Sequence, residues 1–321
     1  MSSRIRRREF IAALGVGLFA APAIVRAEGE PIVIRAGALK LIHSIAPYFY
    51  DQFVPAGYKI EVLPFETPTE CKNAVVTKSV DFGAFGIAAA LLGAAAGEPV
   101  VVIASTCNRG MAIIAKKDSG IASIRDLKGK RVAVFPGTTQ EVFFLERLRM
   151  EGMTIKDVEP VRVSFSEMHI ALSRGDIDAY VGAEPGPALS ITSGAGQLVE
   201  YPYSTPMGGL NMIFGTHEET VAKNPDLVRT MLKTHSQAVE FMMANKPIVT
   251  DVTVQKLGAN RAAVDQALGA NNVEYVWKLD ATVQGQAKTY AQQMLELKQI
   301  RALPKFETFL NPKFSNEIAN S

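Results

Sequence analysis

The most constraining feature of this chain is a pattern that occurs twice. Ser79-Val80-Asp81-Phe82-Gly83-Ala84-Phe85-Gly86-Ile87-Ala88 and Asp176-Ile177-Asp178-Ala179-Tyr180-Val181-Gly182-Ala183-Glu184-Pro185 follow one plan. Each comes after a capped helix, places an acid in the turn before a short apolar strand, and then runs through glycine toward a new helix. A βα unit of this size cannot bury its apolar face alone, so two copies predict two lobes of one design, each with a largely parallel sheet. A length of 321 residues is what two domains need.

The rest of the chain extends the alternation. Strands are expected at Ile32–Gly37, Lys59–Phe65 and Arg131–Phe135, and Ile45–Phe53 is apolar at helical spacing. Pro99–Ser105 is a continuous apolar run of the kind buried on both faces of a parallel sheet. Helix starts are signalled by capping boxes, in which a hydroxyl and a glutamate three residues later satisfy each other's backbone N–H. Thr67/Glu70, Thr138/Glu141 and Ser164/Glu167 fit that spacing, and Ser123 opens a short helix that Gly129 stops. After Gly215 helices dominate, over Glu218–Asn245, Val249–Leu257, Arg261–Leu268 and Ala281–Leu297.

The first 27 residues read as an address. Three arginines at 6–8 precede an apolar run from Ile11 to Val25, too short for a ~30 Å hydrocarbon core, which takes about 20 residues. Val25-Arg26-Ala27 suits signal cleavage, and Arg7-Arg8-Glu9-Phe10-Ile11 matches the twin-arginine pattern. This leader holds five Arg and one Glu, which leaves 29 basic and 31 acidic residues and a net charge of −2. That balance excludes a strong nucleic-acid footprint. Gly15-Val16-Gly17-Leu18-Phe19-Ala20 matches a dinucleotide fingerprint in form only, since it follows no strand. The expectation is an exported, periplasmic and monomeric protein.

Lys116-Lys117-Asp118-Ser119-Gly120-Ile121, Asp126-Leu127-Lys128-Gly129-Lys130-Arg131-Val132-Ala133-Val134, Val80-Asp81-Phe82-Gly83 and Gly175–Ala179 with Glu184-Pro185 occur in this order. The chain thereby resembles the substrate-binding proteins of nitrate, sulfonate and taurine ABC transporters, over roughly residues 32–242. The resemblance implies an α/β, type II two-lobe periplasmic binding protein with mixed sheets, flanking helices and a two-strand hinge. It implies crossings near Met111–Ala115 and Asn211–Phe214. Lobe one would comprise residues 28–112 and 213–321, and lobe two residues 113–212. It implies a small-molecule ligand held in the cleft, and a permease and ATPase complex as partners. Many members carry tryptophan before the Glu-Pro pair; here Ala183 stands there, so an aromatic wall is missing or lies elsewhere.

Helix N-termini and strand-end turns are where such a fold holds a small anion. The candidate ligand-binding residues are Lys40, His43 and Ser44 after the first strand, Thr67 and Thr69, Gly86, Ser105 and Asn108 before the crossing, Gly137, Thr138 and Thr139 in the opposite lobe, and Glu184 at the far wall. Lys40 is the charge-pairing candidate for a sulfonate, nitrate-like ion or carboxylate. Glu184, if unpaired, argues for a ligand with an amine or ring N–H, such as a pyrimidine. A thiamine-pyrimidine-synthase-like enzyme shares the resemblance, but its cysteine-rich stretch has no counterpart here, and no catalytic residue is expected. His43, His169, His217 and His235 lack metal spacing, so no metal or cofactor is expected. Cys71 and Cys107 are the only pair that an oxidising compartment could bridge.

Overall fold

The computed structural model describes residues 30–270 and 272–320. The expected leader at 1–27 lies outside them. The chain runs β1 (Ile32–Leu39), β2 (Tyr58–Phe65), α1 (Pro68–Val76), β3 (Phe82–Gly86), α2 (Ile87–Ala95), β4 (Val100–Arg109), β5 (Met111–Lys116), β6 (Arg131–Val134) and α3 (Thr139–Met150). It continues with β7 (Glu159–Arg162), α4 (Phe165–Arg174), β8 (Ala179–Ala183), α5 (Gly186–Thr192), β9 (Gly196–Glu200) and β10 (Leu210–His217). The last part holds α6 (Glu218–Lys223), α7 (Pro225–Ala244), α8 (Lys246–Leu257), α9 (Arg261–Gly269), β11 (Val273–Tyr275), α10 (Ala281–Glu296), α11 (Phe306–Phe309) and α12 (Lys313–Ala319).

Two sheets result. The first has the order β11-β4-β10-β3-β1-β2, the second β7-β6-β8-β5-β9. Both are mixed. β1, β2 and β3 run parallel, as do β6, β7 and β8, while β10 and β5 enter antiparallel beside them. The apolar run of β4 is buried as expected, but both its neighbours, β10 and β11, are antiparallel. Continuous apolarity reports burial on two faces and says nothing about strand direction.

The chain passes from the first sheet to the second at Gly110, between β4 and β5, and returns through residues 201–209 to β10. Met111 and Ala112 therefore pair in the second sheet, and Leu210 and Met212 in the first, so the sheets change two and three residues ahead of the expected boundaries.

The repeated acid has one job in both copies. Asp81 Oδ2 accepts from the Arg35 backbone N–H at 2.8 Å and from Nε at 3.3 Å, while Oδ1 takes Nη2 at 3.1 Å. Asp178 holds Arg131 through the same three bonds at 2.9, 3.2 and 2.7 Å. In each clamp Nη2 also reaches the carbonyl three residues before the acid, Lys78 or Gly175. The turn before the strand is thus tied to the start of the neighbouring strand.

Alternation packs the second sheet between two layers. Ile113, Val132, Val134 and Val181 face a cluster with Phe144 and Leu148, while Ala112, Ile114, Ala133 and Tyr180 face the larger core shared with the first sheet. In the first sheet Phe82, Phe214 and His235 stack, at 5.6 and 4.6 Å between centroids, with Tyr50 edge-on.

Several local expectations change. The Ile45–Phe53 segment winds as 3-10 turns (Ala46–Gln52), closed by bonds such as Phe53 N–H to the Tyr50 carbonyl. Pro225 splits the long helix expected from Glu218, because proline lacks the N–H that would continue it. Thr138 accepts from Glu141 N–H, but the Glu141 carboxylate takes Gly137 N–H and Gln299 instead of closing the box. The Ser164 hydroxyl donates to Glu167 rather than capping a backbone N–H. Cys71 and Cys107 are both free and buried.

Candidate functional site

The C-terminal ends of β1, β2, β6, β7 and β8 lead to one cleft of about 460 Å³. The turn after β1 supplies Lys40 and Leu41, and the turn after β2 supplies Glu66 and Thr67. The second sheet answers with Phe135 after β6, Ser164, Phe165 and Ser166 at the start of α4, and Ala183, Pro185 and Gly186 after β8. His169 and Leu189 add to this wall, and Leu257–Asn260, between α8 and α9, close the side. Strand-end turns collect here because a parallel sheet sends every such turn to the same edge.

Charge in the cleft is largely compensated. Lys40 is exposed at the rim and its ammonium pairs with Glu66. The first-turn donors of α1 are served by Thr67, which caps Glu70 N–H while the Glu70 carboxylate takes Thr67 N–H. At α4 the hydroxyl of Ser164 is turned to Glu167 and Ser166. The Ser164 carbonyl instead takes Glu167 N–H at 3.0 Å and Met168 N–H at 3.1 Å, and Ser166 lines the cleft beside it. Phe135 and Phe165 form a tilted pair 5.6 Å apart, and Arg162 lies 5.5 Å over the Phe135 ring. Burial holds His169 below the usual imidazole range, and its Nδ1 has no partner.

Of the twelve candidates, the structure brings Lys40 and Thr67 to the cleft. Glu184 sits between the lining residues Ala183 and Pro185, but its side chain turns inward. Oε1 accepts from Asn272 Nδ2 at 2.8 Å and Oε2 from Ala188 N–H at 3.1 Å. The carboxylate is not unpaired, as an amine-binding wall would require. Burial pushes it up to about 7, against the pull of those two bonds. His43 lies behind Leu41, fully buried, pushed down to about 3 by desolvation, with neither ring nitrogen partnered. Ser44 is spent locally: Oγ accepts Leu39 N–H at 2.8 Å and donates to the Ala84 carbonyl at 3.0 Å.

The other candidates lie elsewhere. A Cβ on Gly86 would come within 2.7 Å of Thr139 Oγ1, and Thr139 also reaches the Asn211 carbonyl at 3.5 Å, so Gly86 and Thr139 close against each other. Gly137 and Thr138 shape the start of α3. Thr69 is exposed on α1. Ser105 is buried in β4, its backbone N–H bonded to the Trp277 carbonyl and its own carbonyl to His235. Asn108 donates to Glu274 and lines a separate depression with Met243 and Trp277. Phe135, Phe165, His169 and the Leu257–Asn260 turn were not anticipated. The one signal in the sequence was for Phe165, which stands beside Ser164 where Pro68 stands beside Thr67.

The family model described as NMT1/THI5 like matches residues 49–247. The chain belongs to this family. A Brucella abortus protein provisionally described as a binding protein is 25% identical over 265 residues, covering 81% of this chain and 82% of that one. The taurine-binding periplasmic protein of Escherichia coli is 25% identical over 198 residues, 60% of each. Among solved structures, the periplasmic aliphatic sulphonate binding protein SsuA of Escherichia coli superposes with a TM-score of 0.74 at 18% identity, covering 88% of this chain and 93% of that one. The desulfurization enzyme DSZB also superposes, at 0.69 and 16%, covering 90% and 99%. The NMT1/THI5-like chain described here thus has the α/β two-lobe architecture of periplasmic binding proteins, a scaffold that carries enzymes too. Phe135 and Phe165 place two aromatic rings on the cleft lining that also includes Ala183.

Proposed function

We propose that this protein is the solute-binding component of an ABC importer. The observation that carries this reading is the cleft itself, walled by the strand ends of two sheets between which the chain passes at Gly110 and 201–209. The two sheets mark the two lobes of the reading. A ligand touching both stabilises the closed arrangement, which a permease and its ATPase then recognise. The hydroxyls in the cleft are engaged by Glu70, Glu167 and backbone groups, which supports binding over turnover. Export fits the leader-like residues 1–27, and among the described residues no helix is long and apolar enough to cross a membrane. The protein acts as a monomer in the periplasm on this reading.

The ligand is a small organic anion with an apolar body, in keeping with the sulfonate and taurine names among the relatives. Its head would meet Lys40, Ser166 and the positive end of α4, and its body Leu41, Phe135, Phe165 and Leu257. Such walls favour a carbon-bearing sulfonate or carboxylate over nitrate. A second reading, a nitrogen heterocycle such as a pyrimidine, draws on the Lys40–Glu66 pairing and the neutral His169 beside two aromatic rings.

A thermal-shift screen tests this, with alkyl and aryl sulfonates, carboxylates, nitrate, pyrimidines and amino acids as the panel. A ligand at 100 times its dissociation constant adds about 2.7 kcal/mol. An organic sulfonate or carboxylate hit supports the anion reading, and a pyrimidine hit the second. Mass spectrometry of the protein as purified covers a ligand carried from the host. A chain that binds nothing in either experiment is not a solute-binding protein.

A further inference from the structure

Glu184 directly follows β8 of the second sheet, yet three of its polar groups are engaged by the first half or by the passage between the halves. Its N–H donates to the Gly110 carbonyl at 2.9 Å, and Gly110 is the passage itself. Its carbonyl accepts Ile42 N–H at 3.3 Å, beside the cleft residue Leu41. Its carboxylate takes Asn272, just ahead of β11. Asn272 is in turn held by both passages: its carbonyl accepts Gly110 N–H, and its Oδ1 accepts the Tyr203 hydroxyl at 2.7 Å. The same hydroxyl accepts from Met111 N–H at 2.9 Å and can turn its proton to the Met111 carbonyl, 2.7 Å away, in place of Asn272.

We infer that Glu184 is a positioning residue that latches the two halves at the hinge and so sets how readily the cleft closes, without contacting the ligand. This rests on the reading that the halves close over a solute. The latch holds a buried carboxylate against a neutral amide, so closing removes that carboxylate from water. The cost applies only to its ionised form. The groups around it stay neutral near pH 7: burial pushes Tyr180, Tyr201 and Tyr203 up, and holds His43, packed on Gly110, near 3. Arg109 is the cation at the passage, over the Tyr203 ring at 6.0 Å. Glu184 is held near 7 when buried, above the usual carboxylate range it would have in water. The closed form therefore binds the proton more tightly than the open form. Closure is favoured in acid and is lost progressively as pH rises toward 7.

The test reads closure without a ligand. Spin labels go on Lys59→Cys and Arg174→Cys, both exposed and one in each half, since the native cysteines are buried. Label distances are measured by pulsed electron resonance at pH 5.5 and 8, on protein dialysed free of solute. The closed-to-open ratio should fall with rising pH, by at most about tenfold per unit for one proton. Glu184→Gln should stay closed at both pH values, and Asn272→Ala should open at both. A ratio independent of pH in the parent chain, or a pH dependence that survives Glu184→Gln, overturns the inference. The solute-binding reading does not depend on this result; it stands or falls on the ligand screen.

Discussion

The two copies of the repeat are alike where they build and unlike where they would bind. The clamps Arg35–Asp81 and Arg131–Asp178 share the same three arginine–aspartate bonds, and Arg131 adds one from Nη1 to the Asp176 carbonyl. The strand ends do not. In the first copy β3 runs straight into α2 through Gly86, which packs on Thr139. In the second, Glu184 and Pro185 stand between β8 and α5, and the acid ties the copy back to its partner. At the paired helix starts, Thr67 completes a capping box while the Ser164 side chain caps no backbone N–H. A clamp fixes the geometry of a βα unit, and that leaves the turns beyond the strand free to diverge.

The sharpest test of the common scaffold lies in what only one copy has. Phe214 stacks between Phe82 and His235 in the first half, and Phe214→Ala should cost about 3–5 kcal/mol in urea unfolding. The clamps come next. Asp81→Ala and Asp178→Ala each strip acceptors from a backbone N–H and a guanidinium at a partly exposed site, at a cost of about 1–3 kcal/mol. The two costs should agree closely; a clear difference would break the equivalence. The Arg131 guanidinium holds the Asp178 carboxyl below its usual range. Its stabilisation is present above the unfolded-state value and fades as pH falls through the lowered one, so Asp178→Ala should flatten the acid limb of the stability profile.

Smaller effects probe the divergence. Gly86→Ala drives a methyl into Thr139, and overpacking of this kind costs about 1–3 kcal/mol. Because that contact joins the halves, scattering should show an expanded form before chemical denaturation shows lost stability. Thr67→Ala should cost about 1 kcal/mol as a lost cap, and Ser164→Ala distinctly less. Equal costs would mean that the two helix starts are equivalent after all.

The scaffold was legible in the sequence because its signals are local. The acid, glycine and capping spacings of Ser79–Ala88 and Asp176–Pro185 report βα units directly. The directions of β4's neighbours were not legible, since β10 arrives from residues more than 100 positions away. The candidate site was much less legible. Lys40 and Thr67 follow their strands and reach the cleft. Glu184 and His43 lie at the same edge, but which way a side chain turns depends on partners such as Asn272 and Gly110 that only folding brings near. Phe135 and Phe165 carry no polar signal, so a search for anion donors passed over them.

The most direct test of the account is to ask whether both halves hold one ligand. Calorimetric titration with the best hit of the screen would compare Leu41→Ser in the first wall, Phe165→Ser in the second and Met243→Ser in the separate depression. The account predicts that each wall variant weakens binding at least about tenfold, or 1.4 kcal/mol, and that the Met243 variant binds as the parent does. Weakening from one wall alone, or from Met243 as much as from the walls, would contradict a cleft shared by the two halves.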